Sequence, residues 1–314
     1  MRVRVCVLSV VLAVVSWAGC ASGPSSSPDA GGQADVQRVV VISALPAELD
    51  RLLATARIER TVDVAGRTHH VGWLEGHEVV LVLAGVSMVN AAAATQAVID
   101  HFDVGGILFS GIAGGVNPDL SIGDVVVPAQ WGQHQEMVFA RATDDGWTTD
   151  GRAGTFENFG MMFPRGQLLM GGGPEVPQRR RQFWFSVDED MLRVAHQVAG
   201  DVTLNNCLPN GECFEHQPRV VVGGNGVSGS TFVNNAEFRE WIWRTFAAEA
   251  LDMETAAICQ VATLNDIPFL GFRSLSDLAG GNERGNQIRV FGTLAADNSA
   301  TVLREFLRVW RGPS

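Results

Sequence analysis

Hydrophobic residues along this chain form short continuous runs that alternate with helical patterns. Residues 39–43 are a mostly β-branched run, typical of a strand buried on both faces. Pro46 then begins an amphipathic helix, since proline is favoured in the first turn. The pattern predicts further strands at 68–74, 79–83, 106–110, 124–128, 219–222 and 269–273, and helices at 90–102, 188–198, 235–246, 254–264 and 294–310. Strands that alternate with helices indicate an α/β fold, a single domain with a central mixed, largely parallel sheet flanked by helices.

The periodicity fails between about 130 and 181, where glycines and aromatic residues follow no regular spacing. Irregular stretches of this length inside a compact domain are usually functional lids or insertions. We therefore expect a domain at 37–312 that carries an irregular insertion at about 130–181.

The N-terminal residues have the pattern of an export signal. Arg2 and Arg4 precede an apolar run that ends in small residues and is too short for a good membrane span. The tripeptide ending at Cys20 resembles a bacterial lipobox, in which that cysteine carries the lipid. We expect a signal peptide of the lipoprotein type at 1–19 and a flexible tether at 20–36, with ordinary secretion as the alternative. The mature protein is then periplasmic or anchored in the outer membrane, with the lipid as its only membrane contact.

Export also decides the expected state of two cysteines. Cys207 and Cys213 lie in one turn-rich loop, and in an oxidising compartment a disulfide is their natural pairing. A metal site would need further ligands at suitable spacing, and none lie beside them. The seven histidines form no metal-ligand pattern either, so no metal is expected.

Composition excludes several classes of function. The formal net charge is −11, which disfavours nucleic-acid binding. All 23 basic residues are Arg, and the chain has no Lys or Tyr, which removes lysine Schiff-base and P-loop chemistry. Residues 224–229 match G-x-G-x-x-G, but the helical pattern resumes only after 234, so a dinucleotide site is disfavoured. No cofactor is expected.

Acidic residues stand where apolar strands end. Glu48 follows the first buried strand, Asp252 and Glu254 precede an apolar helix, and Asp277 ends the segment after another buried strand. Each acid alone is more often a helix cap or a solvated loop residue. Because ligands of open α/β sheets collect at the carboxyl ends of strands, acids at several such ends indicate a binding site.

Four ordered segments carry a family resemblance. Residues 43–48, 110–115, 251–257 and 273–277 resemble the nucleoside phosphorylase/nucleosidase superfamily, and within it the methylthioadenosine/S-adenosylhomocysteine nucleosidases. The stretch 226–280 also resembles the plant storage-protein-like branch, whose members need not all be active. The resemblance implies a nucleoside phosphorylase-like fold.

The resemblance further implies hydrolysis of the N-glycosidic bond of a purine nucleoside to the free base and a ribose derivative. In this interpretation Asp277 donates a proton to purine N7, Glu48 activates the attacking water, and Glu254 accepts hydrogen bonds from the ribose 2′- and 3′-hydroxyls. Met253 packs against the sugar and Phe232 stacks on the base. Ser276 and Gly111 lie in the same matching segments and are expected to contact substrate, and the family likeness suggests a homodimer.

Three alternatives remain open at this point, one of them a surface adhesin that merely retains the fold. A phosphorylase would use phosphate in place of water, but Glu48 stands where such enzymes place an arginine, and Phe109 and Ile112 stand where they carry Arg and a hydroxyl residue. These replacements favour hydrolysis, because bidentate Arg matches phosphate geometry. The second alternative is a non-catalytic nucleoside-binding or storage lipoprotein.

Overall fold

The computed structural model describes residues 37–170, 179–208, 210–214, 216–281 and 286–312. The predicted signal peptide at 1–19 and tether at 20–36, including Cys20, lie outside these residues. Within the described ranges, no helix has the length and apolar character needed to cross a membrane.

The described residues form a mixed sheet with flanking helices. The first seven strands, all in the main sheet, are β1 (Arg38–Ser43), β2 (Arg57–Val64), β3 (Arg67–Leu74), β4 (His77–Leu83), β5 (Val104–Gly115), β6 (Val125–Val127) and β7 (Gln130–Gln133). Seven short strands follow, namely β8 (Met137–Phe139), β9 (Arg141–Thr143), β10 (Gly146–Thr148), β11 (Met162–Pro164), β12 (Gln167–Leu169), β13 (Arg180–Gln182) and β14 (Trp184–Ser186). The remaining strands are β15 (Val220–Val222), β16 (Asn225–Ser228), β17 (Ala248–Asp252) and β18 (Phe269–Asp277). The helices are α1 (Pro46–Leu53), α2 (Met88–His101), α3 (Glu189–Ala199), α4 (Ala236–Phe246), α5 (Thr255–Leu264) and α6 (Ile288–Val309).

Strand β5 organises the sheet. It pairs in parallel with β1 on one edge and with β18 on the other, while β4 continues the parallel arrangement beyond β1. Antiparallel pairs follow further out, so the sheet is mixed and the predicted fold class is confirmed. The main hydrophobic core lies between β1, β4, β5 and β18 and the helices packed on them.

One edge of β5 changes partner half-way along the strand. Pairing with β1 ends where Ile42 lies opposite Phe109, and pairing with β17 begins only at Gly114. The backbone of residues 110–113 therefore has no strand neighbour on this edge. The N–H and C=O groups on this edge must therefore bond to other partners, because buried backbone polar groups need hydrogen bonds.

The expected irregular insertion contains more β structure than its pattern indicates. Strand β7 joins the main sheet, and strands β8 to β13 pair only with one another, in three antiparallel pairs of three residues each. Strands this short cannot show a two-residue periodicity, which is why the sequence pattern gives no sign of them. Strand β2 was also unpredicted, because it is a largely exposed edge strand without a hydrophobic run. The last helix, α6, was predicted but begins six residues earlier than expected.

Cys207 and Cys213 are joined in a disulfide. The loop they close is followed by Phe214, which packs against Phe291 of α6 with ring centroids 4.8 Å apart. The amide of Asn298, also on α6, bonds both backbone groups of Asn205. The disulfide loop is thus fastened to one face of the last helix.

Candidate active site

A cavity of about 220 Å³ opens at the carboxyl ends of the strands around β5. The carboxyl side chains that line it are those of Glu48, Asp252, Glu254 and Asp277. Each of them is less than 10% exposed, although isolated buried carboxylates are strongly disfavoured. Most other lining side chains are apolar: Ala44, Leu45, Val86, Ile112, Ala113, Val233, Leu251, Met253, Ala279 and Ile288.

Glu48 lies in the first turn of α1 and points back towards the end of β1. Its Oε2 accepts hydrogen bonds from the backbone N–H groups of Ala44 and Leu45, each at 2.8 Å. Its Oε1 accepts from the N–H of Ile112 at 2.9 Å, on the edge of β5 that has no strand neighbour at this point. A carboxylate offers about four acceptor positions, so these three bonds leave one for a water molecule. Burial raises the pKa of Glu48, and Arg273 and the three N–H donors oppose that rise.

Arg273 is a fully buried cation among these acids, in the middle of β18. Its Nε lies 3.0 Å from the Asp252 carboxylate and its Nη2 lies 3.5 Å from that of Glu254. Nη2 also donates to the carbonyl oxygen of Ile112. The guanidinium lies 4.3 Å from the ring centre of Phe109, a cation–π contact that compensates part of its lost hydration. One positive charge therefore holds several carboxylates in a small volume.

Glu254 precedes α5 and reaches across to the loop after β4. Its Oε1 accepts the N–H of Ser87 at 2.7 Å. Ser87 has a φ of +85°, a conformation that is strained for a residue with a side chain and that recurs at functional sites. Burial and the nearby Asp252 carboxylate raise the pKa of Glu254 to about 7. This acid therefore titrates near neutral pH.

Asp277 is the last residue of β18, and its side chain lines the same cavity as Glu48. Its Oδ1 accepts the N–H of Ala279 at 2.8 Å, and its Oδ2 accepts from the hydroxyl of Ser276 at 2.9 Å. Burial raises the pKa of Asp277 against these two bonds. A carboxyl group that keeps its proton to higher pH can serve as a general acid.

Comparison with known proteins identifies the family. The model of the phosphorylase superfamily matches residues 38–308. This chain belongs to the phosphorylase superfamily.

Individual superfamily members resemble it over most of its length. The chain is 30% identical over 267 residues to the 5′-methylthioadenosine/S-adenosylhomocysteine nucleosidase of Mycobacterium tuberculosis, covering 85% of this chain and 95% of that protein. It is 25% identical to bark storage protein B of Populus deltoides, covering 77% of this chain and 78% of that protein. Among solved structures, the nucleosidase of Neisseria meningitidis in complex with methylthio-immucillin-A matches with a TM-score of 0.65 and 27% identity, over 88% of this chain and all of that chain.

Within this superfamily fold, most residues expected at the site do come together. Glu48, Glu254 and Asp277 line one cavity, and Met253, Phe232 and Ser276 line it with them. Phe232 is 54% exposed, so one face of its ring is open to the solvent.

Gly111 has a different position from the one expected. It lies behind Glu48 and Arg273, and a Cβ atom at this position would overlap both side chains. Its contribution is therefore the space that it leaves for this pair.

Sequence reasoning missed the roles of Arg273 and Ser87. An arginine inside a strand of otherwise apolar and small residues was a signal for a buried cation, since arginine is almost never fully buried without partners. Ser87 acts through its backbone N–H, and no side-chain pattern reports on that group.

Proposed function

We propose that this chain hydrolyses the N-glycosidic bond of a purine nucleoside, of the methylthioadenosine or S-adenosylhomocysteine kind, to the free base and a ribose derivative. The observation that carries the proposal is the convergence of Glu48, Glu254 and Asp277 around one small cavity. Relatives named as nucleosidases that match nearly the whole domain support the reaction class.

In the proposed reaction the bond between C1′ and N9 breaks, and its electrons pass to the purine. Asp277 donates its proton to N7, so the base departs as a neutral molecule. Glu48 binds a water molecule with its free acceptor position and takes a proton from it as the water oxygen bonds to C1′. Solvent then returns a proton to Asp277 and removes one from Glu48, which restores both groups. General acid and base catalysis each contribute typically ~10²–10⁴-fold.

Two other charged groups of the site, Glu254 and Arg273, lie where they can act on the ribose. Glu254 in its ionised form can accept hydrogen bonds from the 2′- and 3′-hydroxyls. Arg273, whose Nη1 is buried and makes no hydrogen bond to any described residue, contributes its positive charge to the site. Met253 and Phe232 supply apolar contacts to the sugar and the base.

The site supports water as the nucleophile in preference to phosphate. A phosphate dianion would meet the carboxylates of Glu48 and Glu254, and the nearby Arg273 is already paired with acids. Phe109 is fully buried beneath that guanidinium, and Ile112 presents an apolar side chain to the cavity. Arg51, on α1, forms a partly exposed ion pair with Asp297 at 2.9 Å, which leaves it as surface charge.

A nucleoside panel with one variant tests the proposal. Purified protein is incubated with methylthioadenosine, adenosine and inosine, and the free base is measured by chromatography. We expect base release from at least one nucleoside and a loss of about 100-fold or more in Glu48→Gln. Glu75→Gln is the matched control, because Glu75 pairs with Arg304 and Arg308 away from the cavity and its loss should leave the rate unchanged.

Two results would oppose the proposal. Release of no base from any nucleoside by the wild type refutes hydrolysis. If the nucleosides nevertheless raise the melting temperature, and Glu48→Gln binds them equally well, the chain is a nucleoside-binding or storage protein, as the similarity to bark storage protein allows.

We further propose that the protein acts outside the cytoplasm as a lipoprotein attached through Cys20, and that it forms a homodimer. The export pattern at 1–19 supports the first statement, and the family likeness supports the second. In that location the reaction would serve the scavenging of purine nucleosides. Mass spectrometry of the mature N-terminus tests lipidation, and sedimentation of the soluble domain tests dimerisation.

A further inference from the structure

A buried hydroxyl on the last helix lies directly behind the proposed water-activating site. Ser299 is fully buried in the middle of α6. Its Oγ lies 3.0 Å from the backbone nitrogen of Gly111, 2.9 Å from the carbonyl oxygen of Phe272 and 2.9 Å from the hydroxyl of Ser110.

The direction of each of these bonds follows from the groups involved. An N–H can only donate and a carbonyl oxygen can only accept, so Gly111 donates to Ser299 and Ser299 donates to Phe272. The single proton of the Ser299 hydroxyl is then used, and Ser110 must donate to its second lone pair. All hydrogen-bonding capacity of the Ser299 hydroxyl is filled, which fixes its orientation.

The Ser299 hydroxyl bonds to the backbone of both β5 and β18, next to the residues that line the cavity. Gly111 of β5 lies opposite Arg273 of β18 in the parallel register, so the Gly111 N–H and the Phe272 carbonyl face the same gap between the strands. Ser299 joins these two groups. Its contact with the backbone of β5 is thus one residue from Ile112.

The backbone of Ile112, the residue after Gly111, holds two members of the site. The N–H of Ile112 donates to Glu48 Oε1, and the carbonyl oxygen of Ile112 accepts from Arg273 Nη2. A shift of the Gly111 backbone would therefore move the supports of both side chains together.

We propose that Ser299 is a positioning residue for the reaction: its hydroxyl fixes the backbone at Gly111 and thereby sets the separation of Glu48 and Arg273. This inference rests on the proposed hydrolysis. Ser299 does not line the cavity, so its effect should appear in turnover and in proton transfer, with little effect on substrate affinity.

The test compares Ser299→Ala with Ser110→Ala. Both remove one buried hydroxyl from the same cluster, but only the first removes the bond to Gly111. We expect Ser299→Ala to lower kcat by about 10- to 100-fold, because displacements near 1 Å can reduce rates to that extent, with KM within about twofold. The acid limb of its kcat against pH profile should move to higher pH, since a weaker bond from Ile112 leaves the Glu48 pKa higher. Ser110→Ala should keep kcat within about twofold and leave the profile in place.

A second variant covers the case in which Ser299→Ala does not fold. Ser299→Cys keeps the volume and a weaker hydrogen-bonding group, and we expect a folded protein with an intermediate kcat. A folded Ser299→Ala or Ser299→Cys with the wild-type kcat and pH profile overturns the positioning role, and so does an equal loss in Ser110→Ala. A wild type that releases no base overturns the proposed function itself, and the inference with it.

Discussion

Replacing Gly111 by alanine should push Glu48 and Arg273 apart. Both side chains now pack against Gly111, where there is no Cβ atom. A Cβ atom built at this position lies 2.6 Å from Glu48 Oε1 and 2.8 Å from Glu48 Cδ, and it overlaps Arg273 Nη1 as well. Ordinary contact begins near 3.4 Å, so the Glu48 carboxylate must move by about 0.8 Å. Gly111 does not have a positive φ, so the backbone tolerates alanine and the effect is confined to these contacts.

A displacement approaching 1 Å can lower a rate by about 10²-fold, which corresponds to about 3 kcal/mol in the activation free energy. We therefore expect Gly111→Ala to lose roughly two orders of magnitude in kcat for base release, measured by chromatography under saturating nucleoside. Gly292→Ala is the control, because its added Cβ would lie 3.5 Å from Ile288 and 3.9 Å from Ile112, in ordinary contact. It should keep its activity and gain up to about 1 kcal/mol of stability from the higher helix propensity of alanine. A folded Gly111→Ala with kcat within about threefold of wild type would refute the packing argument.

Two further predictions concern stability. The folded protein holds the proton of Glu254 more tightly than the unfolded chain does, since the pKa rises from 4.5 to about 7 on folding. The resulting stabilisation is present below pH 4.5 and is lost as the pH rises through 7. The free energy of unfolding of the wild type should therefore fall between about pH 5 and pH 8. This fall should exceed that of Glu254→Gln by up to about 3 kcal/mol. Urea unfolding at both pH values measures this, and parallel pH dependences in the two proteins would contradict it. Removal of the disulfide in Cys207→Ser/Cys213→Ser should lower the free energy of unfolding by about 2 kcal/mol and leave kcat unchanged. Calorimetry measures the stability, and the base-release assay measures kcat. An unchanged melting temperature would show that the disulfide does not stabilise the folded protein.

The sequence was sufficient to predict the fold class and the convergence of the three acids. The buried strands at 39–43 and 269–273 begin with apolar runs, and such runs identify strands that are covered on both faces. Glu48 and Asp277 could be placed because they follow or end such strands, and the carboxyl ends of neighbouring parallel strands meet at one edge of the sheet.

Other parts of the site depend on contacts that no local pattern contains. The N–H of Ile112 is available to Glu48 because β1 stops pairing before β17 begins, and only the three-dimensional register of the sheet determines this gap. The position of Gly111 was misjudged for the same reason: its neighbours Glu48 and Arg273 are distant in sequence.

The most direct test of the central claim follows the oxygen that becomes bonded to C1′. Wild-type protein is incubated with methylthioadenosine in isotopically labelled water, with and without phosphate, and the sugar product is examined by mass spectrometry. We expect free adenine, label on the sugar at C1′, and a rate that does not depend on phosphate. A phosphorylated sugar without label, or no free base under either condition, would contradict the proposed hydrolysis.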